Sequence, residues 1–241
     1  MRSLPSIKEG AIFISDAHDN SKRDGFYRFL LDIKSGKLKP TQLFLMGDMF
    51  DLLVGEVAYL KEKNRKTIDL LDEIAKNIEV FYFEGNHDFA LKGLFKNLQI
   101  IDIESQPAIF LANNSRILLS HGDKYGGVLH QIFTKIIRDR ALLKILNIAD
   151  KLCGSCISKK IVDNLEKKNI CSKIQNFESI IKTKLDKYID LNVDIVAEGH
   201  YHQNRDFKHK KYKYINFSSF ACNQSYFVVQ LHPELKFIEK N

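Results

Sequence analysis

Five times along this chain a short apolar, β-type run stops at a cluster of histidine, aspartate or asparagine. "AIFIS" (11–15) runs into Asp16 and His18, and "QLFLMG" (42–47) into Asp48, with Asp51 just behind. "IEVFYFE" (78–84) ends in "GNHD", "RILLS" (116–120) in His121 and Asp123, and "VDIVAEG" (193–199) in His200 and His202. A buried strand has no use for such groups, because polar side chains in apolar surroundings are costly unless partnered. At the carboxyl ends of strands in an open α/β sheet, however, they share the rim where ligands gather. One such loop is ordinarily a solvated turn; five in succession are not explained that way. The fold must therefore bring the imidazoles of His18, His121, His200 and His202, the carboxylates of Asp16 and Asp48 and the amide of Asn86 to one place, with His87 beside them.

The rest of the pattern supplies such a fold. "FYRFLLDI" (26–33) places Phe26, Phe29, Leu30 and Ile33 at helical spacing, and the stretch from Tyr59 to Asn77 reads as one further helix. "ANNS" marks a turn, and near the C-terminus "YKYINFSSF" and "SYFVVQL" read as antiparallel strands. Strand and helix in alternation imply an α/β architecture with helices on the sheet faces. Between 127 and 190 the period becomes purely helical, with lysines between the apolar positions. This segment is expected to be a helical insertion lying on a domain formed by 1–126 and 191–241.

Charge is unevenly placed along the chain. The net charge is +7, and residues 124–192 hold 14 Lys/Arg against 7 Asp/Glu. Such a segment suits an anionic partner (nucleic acid, phosphorylated lipid or a membrane surface), or is simply a solvated helix face. With 44% hydrophobic and 28% charged residues, the composition is that of a globular protein. No uncharged apolar run approaches the roughly 20 residues that span a bilayer, and "AIFIS" is too short for a secretory signal, so a cytosolic location is expected. Cys153, Cys156, Cys171 and Cys222 are too few and too irregularly spaced for a disulfide framework. The CxxC spacing of Cys153/Cys156 could mean zinc or redox chemistry, but the pair lacks the second close pair that a structural zinc needs, and ordinary thiols near a helix end are expected there.

Mixed His, Asp and Asn ligation favours borderline ions, Mn²⁺ first with Zn²⁺ or Fe²⁺ as alternatives. The set is larger than one ion with an open position requires, which implies two ions about 3.5–4 Å apart, bridged by a carboxylate from a central loop. Paired ions of this kind acidify a water and clamp the oxygens of an in-line phosphoryl displacement.

The ordered blocks "DAH", "GDMFD", "GNHD", "HGD" and "GHYH" resemble those of the calcineurin-like metallophosphoesterases, from Ala11 to about Gln203. The resemblance implies a β-sandwich flanked by helices, with the insertion as a lid. It implies that Asp16, His18 and His202 hold one ion, that Asn86, His121 and His200 hold the other, and that Asp48 bridges them. His87 then stands off the metals and acts on the phosphate oxygens, so that Asn86 and His87 are the pair nearest the chemistry, and Gly85 allows a tight turn. Asp123 and Tyr125 of "HGDKYG" are expected on the substrate side. Asp51 and Asp88 either orient ligand histidines or cap helix starts, and Asp19 and Asp24 are expected at the surface.

Within that family, "GDMFDLL", "HGDKYG" and the helical insertion are similar to the branch that cleaves UDP-2,3-diacylglucosamine to UMP and 2,3-diacylglucosamine 1-phosphate. In that branch water attacks the phosphorus on the UMP side and the insertion covers the acyl chains. His87 departs from it, since the branch often carries Arg there whereas the wider family has His. The implied partner is an amphiphilic nucleotide-sugar lipid, met at the anionic inner face of an inner membrane. The oligomeric state is open. A general phosphodiesterase or nuclease is the alternative, although the insertion lacks the aromatics interleaved with basic residues that would stack a single strand. A non-enzymatic scaffold on this fold would not need a complete ligand set.

Overall fold

The computed structural model describes residues 4–124 and 134–241. In chain order its first strands are β1 (Ile12–Ile14), β2 (Gln42–Leu45), β3 (Leu53–Val54), β4 (Glu79–Phe83), β5 (Asp88–Phe89), β6 (Gln99–Ile101) and β7 (Ala108–Ala112). There follow β8 (Ser115–Ser120), β9 (Ile195–Glu198), β10 (Arg205–His209), β11 (Tyr212–Asn216), β12 (Tyr226–Gln230) and β13 (Lys236–Lys240). Helices among the described residues include α1 (Gly25–Lys34), α2 (Ala58–Lys63), α3 (Arg65–Ile74), α4 (Arg140–Leu152), α5 (Cys156–Leu165), α6 (Phe177–Leu185) and α7 (Phe220–Asn223).

One sheet runs β13-β12-β1-β2-β4-β6 and the other β10-β11-β9-β8-β7, while β3 and β5 form a short pair of their own. Successive side chains of a strand point to opposite faces, so a strand that is apolar throughout offers both faces for packing. On one side of the first sheet, Ile12, Ile14, Leu43, Leu45, Val80 and Tyr82 pack with Phe26, Leu30, Ile68 and Leu71 of α1 and α3. On the other side, Phe13, Phe44 and Phe81 meet Phe110, Ile117, Leu119 and Ala197 of the second sheet. Phe13, Phe44 and Phe81 stack in a row across β1, β2 and β4, with centroids 4.2 and 4.8 Å apart. Each buried ring contributes about 1.5–3 kcal/mol by leaving water. The outer face of the second sheet carries Leu118, Val196, Tyr212 and Tyr214, covered by Phe177, Ile181, Leu185 and Tyr188 from α6 and the turn after it. The result is helix, sheet, sheet, helix: the sandwich flanked by helices.

Three sequence expectations need correction. The Tyr59–Asn77 pattern is not one helix, because Asn64 breaks it: its amide donates to Leu52 O (3.1 Å) and Leu60 O (2.8 Å), turning the chain between α2 and α3. The two C-terminal strands do not pair with each other. β11 lies beside β9 (parallel) and β10, whereas β12 lies between β1 and β13 in the other sheet. Their alternation showed that each has a buried face but not which sheet it joins. The cysteines are also not ordinary thiols: Cys153 is joined to Cys156, and Cys171 to Cys222, with Cα atoms 5.5 and 5.7 Å apart. The first bridge spans the corner between α4 and α5. The second joins residues 51 apart in sequence, and only the folding of the 166–176 loop against α7 brings them within reach.

Candidate metal centre

The ends of β1, β2, β4, β8 and β9 converge. Asp16, His18 and His202 form one cluster of ligand atoms, Asp48, His121 and His200 a second, and His18, Asp48 and His87 a third, with the atoms of each cluster within 4.8 Å of one another. Asp48 is common to the last two. Asn86 joins the second cluster, its Oδ1 lying 3.2 Å from His121 Nε2. Asp16 Oδ1 lies 3.0 Å from His202 Nε2, and both Asp16 oxygens accept from the His200 amide.

The backbone is bent to make this possible. Asp16, His18, Asp48, His200 and His202 all have positive φ, between 45° and 65°. Asp tolerates this region better than most residues, but each such residue costs on the order of 1–3 kcal/mol, and such strain concentrates at functional sites. The loops are also packed against one another. A Cβ on Gly47 would overlap the His121 ring, and one on Gly85 would overlap the Asp48 carboxylate. Gly85 is thus required for close approach rather than for the tight turn expected of it.

Backbone carbonyls fix the imidazoles. Nδ1 of His121 lies 2.8 Å from Met46 O, Nδ1 of His202 lies 2.6 Å from Ile170 O, and Nδ1 of His87 lies 2.6 Å from Asp51 O. A carbonyl only accepts, so each Nδ1 carries the proton and each Nε2 is left to face the centre. His18 has neither ring nitrogen hydrogen-bonded although both are buried, and the nearest carboxylate oxygen, on Asp51, is 3.6 Å away, too far for a hydrogen bond. Burial pulls the pKa of His18 and of His200 down to about 4, so both present lone pairs at neutral pH. Burial also lowers His202, but Asp16 outweighs it and raises it to about 9. For Asp48 burial acts upward, and the surrounding imidazoles, His121 first, bring the carboxyl well below its ordinary value. An orphaned buried imidazole at His18, the oriented Nε2 atoms of His121 and His202, the His200 imidazole, two carboxylates and an amide are a donor set that fits a pair of borderline divalent ions.

Around this set lie residues with supporting contacts. Asp88 is fully buried and accepts from the amides of Asp48 (2.9 Å), Met49 (2.5 Å) and Gly85 (3.0 Å) and from Tyr82 OH (2.6 Å). It therefore ties the second loop to the third, rather than orienting a histidine or capping a helix. Asp51 is held by Arg23 Nη2 at 2.6 and 2.7 Å, and its own carbonyl orients His87. Asp24 is exposed and pairs with Arg28, as expected. Asp19 is not at the surface: it is buried, accepts from Thr67 Oγ1 at 3.1 Å, and burial raises its pKa to about 6. Thr67 on α3 reaches down to it, a contact 48 residues away that local sequence does not announce.

Asp123 is enclosed, with Arg138 Nη2 at 2.9 Å from its Oδ2; the same nitrogen donates to Gly85 O at 2.8 Å. The Arg138 guanidinium also lies over the Phe89 ring, 5.5 Å from its centroid. Asp123 is thus buried and bonded to Arg138. Tyr125 lies outside the described residues. Sequence reasoning missed Arg138, which is one of many cations in its segment and has no motif around it. It also missed the carbonyls of Met46, Asp51 and Ile170, which leave no mark in a sequence.

The family profile described as calcineurin-like phosphoesterase matches residues 11–204, the span that contains every one of these loops. The chain belongs to the calcineurin-like phosphoesterase family. It is accordingly a metal-dependent phosphoester hydrolase, the class that the five motifs imply. Among curated proteins, this phosphoesterase is 28% identical over 210 residues to a UDP-2,3-diacylglucosamine hydrolase of Blochmanniella pennsylvanica (strain BPEN), covering 80% of this chain and 78% of that one. It is 22% identical over 196 residues to a protein of the same name from Coxiella burnetii (strain RSA 331 / Henzerling II), covering 80% of each. A solved archaeal phosphodiesterase aligns with 95% of this chain and 98% of its own at 11% identity, with a TM-score of 0.47.

Proposed function

We propose that this phosphoesterase hydrolyses the diphosphate of UDP-2,3-diacylglucosamine, giving UMP and 2,3-diacylglucosamine 1-phosphate. The observation that carries the reading is the apolar surface turned outward by α4 and α5. Ile145, Ile148 and Leu152 recur along one side of α4 and are 63%, 59% and 85% exposed, with Ile157 and Ile161 of α5 also exposed. Large apolar side chains in a patch of this kind mark a surface that meets another apolar body. Lys144, Lys151, Lys159 and Lys160 flank it, a pairing suited to greasy tails under a charged head or to an anionic membrane. Arg138, two residues before α4, ties this segment to the "GNHD" and "HGD" loops. Segment 127–190 is therefore read as the lid, and the protein as working at the inner face of a membrane. Among the described residues no helix is long and apolar enough to cross one.

In this reading Asp16, His18 and His202 hold one ion, Asn86, His121 and His200 the other, and Asp48 both. When bound, such ions, Mn²⁺ foremost, polarise the phosphoryl oxygens and lower the pKa of water. The chain's own residues do the rest. His87, fixed through Nδ1 by Asp51 O, presents Nε2 to the phosphate and exchanges a proton or hydrogen bond there as charge develops. Arg138, held by Asp123, keeps the "GNHD" loop in place and adds a cation at the rim. The apolar face of the lid binds the acyl chains, binding energy that is remote from the bond being broken.

The test is a comparison of kcat/KM for UDP-2,3-diacylglucosamine and for bis(p-nitrophenyl) phosphate on the Mn²⁺-loaded protein. Preference for the acylated nucleotide by several orders of magnitude is expected. Comparable values would assign a general phosphodiesterase instead, the reading that the presence of His87 rather than Arg favours.

A further inference from the structure

His202 depends for its orientation on a segment with no regular structure. Its Nδ1 is 2.6 Å from Ile170 O, and Ile170 lies in residues 166–176, which are neither helix nor strand. The next residue, Cys171, is bonded to Cys222 on α7. That short helix in turn holds the first site loop, since the Phe220 amide donates to Ser15 O (2.9 Å) and the Ala221 amide to Asp16 O (3.1 Å). Ser219 Oγ, at the start of α7, also donates to Asp16 O at 2.8 Å. Asp16 Oδ1 and His202 Nε2 face each other at 3.0 Å. The contacts therefore close a ring: His202, Ile170, Cys171, Cys222, Ala221, Asp16 and back to His202. Within that ring the disulfide is the covalent cross-link, and the other joints between segments are hydrogen bonds. Further ties of the loop to the fifth site loop are hydrogen bonds around Gln203, from Ile174 N at 2.8 Å and to Ser172 O at 3.3 Å.

We propose that the Cys171–Cys222 bridge is a positioning element for His202, and that opening it weakens metal binding at the Asp16–His18–His202 end of the centre while sparing the Asn86–His121–His200 end. This rests on the two-ion reading of the centre. Both cysteines are exposed, and exposed disulfides are the ones that exchange readily. A dithiol would open it by two exchanges. One reductant thiolate attacks a bridge sulfur to give a mixed disulfide, and the second displaces the protein thiol. Two cysteine thiols and a cyclic reductant disulfide result. Without the bridge the loop that carries the Ile170 carbonyl loses its covalent tie to α7, and loss of such an outer partner of a ligand histidine ordinarily costs about 10–100-fold in metal affinity. The other bridge, Cys153–Cys156, closes the α4–α5 corner, and among the described residues no contact joins it to the centre; it serves as the control.

The experiment titrates Mn²⁺ into the metal-free full chain by calorimetry, resolving two binding events. It compares the oxidised protein, the same protein after treatment with and removal of a dithiol, the Cys171→Ser/Cys222→Ser variant and the Cys153→Ser/Cys156→Ser variant. The expected result is a loss of tenfold or more in one of the two affinities, in both the reduced protein and the first variant, with the other affinity and the control variant unchanged. The reduced wild type keeps the test open if the first variant folds poorly. Equal affinities in oxidised and reduced protein would overturn the proposal, as would loss at both sites together, which is what general loosening of the fold produces. Mass spectrometry showing Cys171 and Cys222 alkylated in the untreated protein would overturn it too. Two undiminished affinities in the reduced protein would leave the metal centre standing and remove only the bridge, whereas no Mn²⁺ binding by the oxidised protein would remove both.

Discussion

Asp48 and His87 are 39 residues apart, joined by a hydrogen bond of 2.8 Å from the His87 amide to Asp48 Oδ1, yet their side chains have different tasks. Asp48 lies between the two clusters of imidazoles, so Asp48→Ala is expected to empty the centre and abolish turnover. His87→Ala is expected to keep both ions and lose about 10²–10⁴-fold in kcat, the usual worth of a positioned proton carrier. Elemental analysis alongside steady-state kinetics separates the two, and a metal-free His87→Ala protein would reverse the assignment. Asp88 gives a third expectation. Three amides and a phenol converge on one buried carboxylate, so Asp88→Ala should destabilise by about 3 kcal/mol or more through donors left unpaired, read as a lowered denaturation midpoint with reduced metal content. At this scale the ligands were legible because His, Asp and Asn are out of place at the end of an apolar run. The groups that orient them were not: a carbonyl has no sequence signature, and Arg138 is one cation among many.

The α6 helix shows how an element of the basic segment serves the centre from behind. Lys184 is buried, with Nζ 2.7 Å from Glu198 Oε2 and 2.6 Å from Gly122 O, and Tyr188 OH donates to Glu198 Oε1 at 3.0 Å. Glu198 ends β9 and Gly122 follows His121, so one cation fastens α6 to two of the site loops. Removing one member leaves the other charge buried and unpaired, which ordinarily costs about 3–5 kcal/mol. Lys184→Met should therefore lower the melting temperature by on the order of 10 °C, while Lys184→Met/Glu198→Leu regains part of that loss. A double variant no better than the single one would show that the unpaired buried charge is not the source of the loss. The α4 helix is the opposite case, because its apolar stripe faces outward. Ile145→Asn/Ile148→Asn is expected to raise KM for the acylated substrate and leave a small phosphodiester unaffected; equal loss on both would make the face structural. Helical period located these elements from sequence, and the lysines between apolar positions were visible. Which lysine is buried was not, because burial of Lys184 depends on a partner on β9. The break at Asn64 escaped for a similar reason, since the amide that turns the chain bonds to Leu52, outside the helix.

At the scale of the whole molecule, the sandwich explains how loops far apart in sequence form one centre. Parallel pairing points the ends of β1, β2 and β4 the same way in one sheet and those of β8 and β9 the same way in the other, and the loops of the two groups meet at the clustered ligands. The phenylalanine row between the sheets fixes the distance between the two groups of loops. Phe44→Ala is thus expected to cost about 3–5 kcal/mol and to loosen the centre without touching it. The alternation of strand and helix made the layered fold legible, while the sheet joined by each C-terminal strand was decided by packing that local pattern does not encode. In the proposed function this centre adds water to the UMP-side phosphorus of an acylated nucleotide sugar. The most direct test is hydrolysis of UDP-2,3-diacylglucosamine in ¹⁸O-enriched water by the Mn²⁺-loaded protein, with a chelator-treated control and both products identified by mass spectrometry. UMP carrying the label, unlabelled 2,3-diacylglucosamine 1-phosphate and no turnover in the control are expected; release of UDP, label in the sugar phosphate, or full activity after chelation would overturn this reaction.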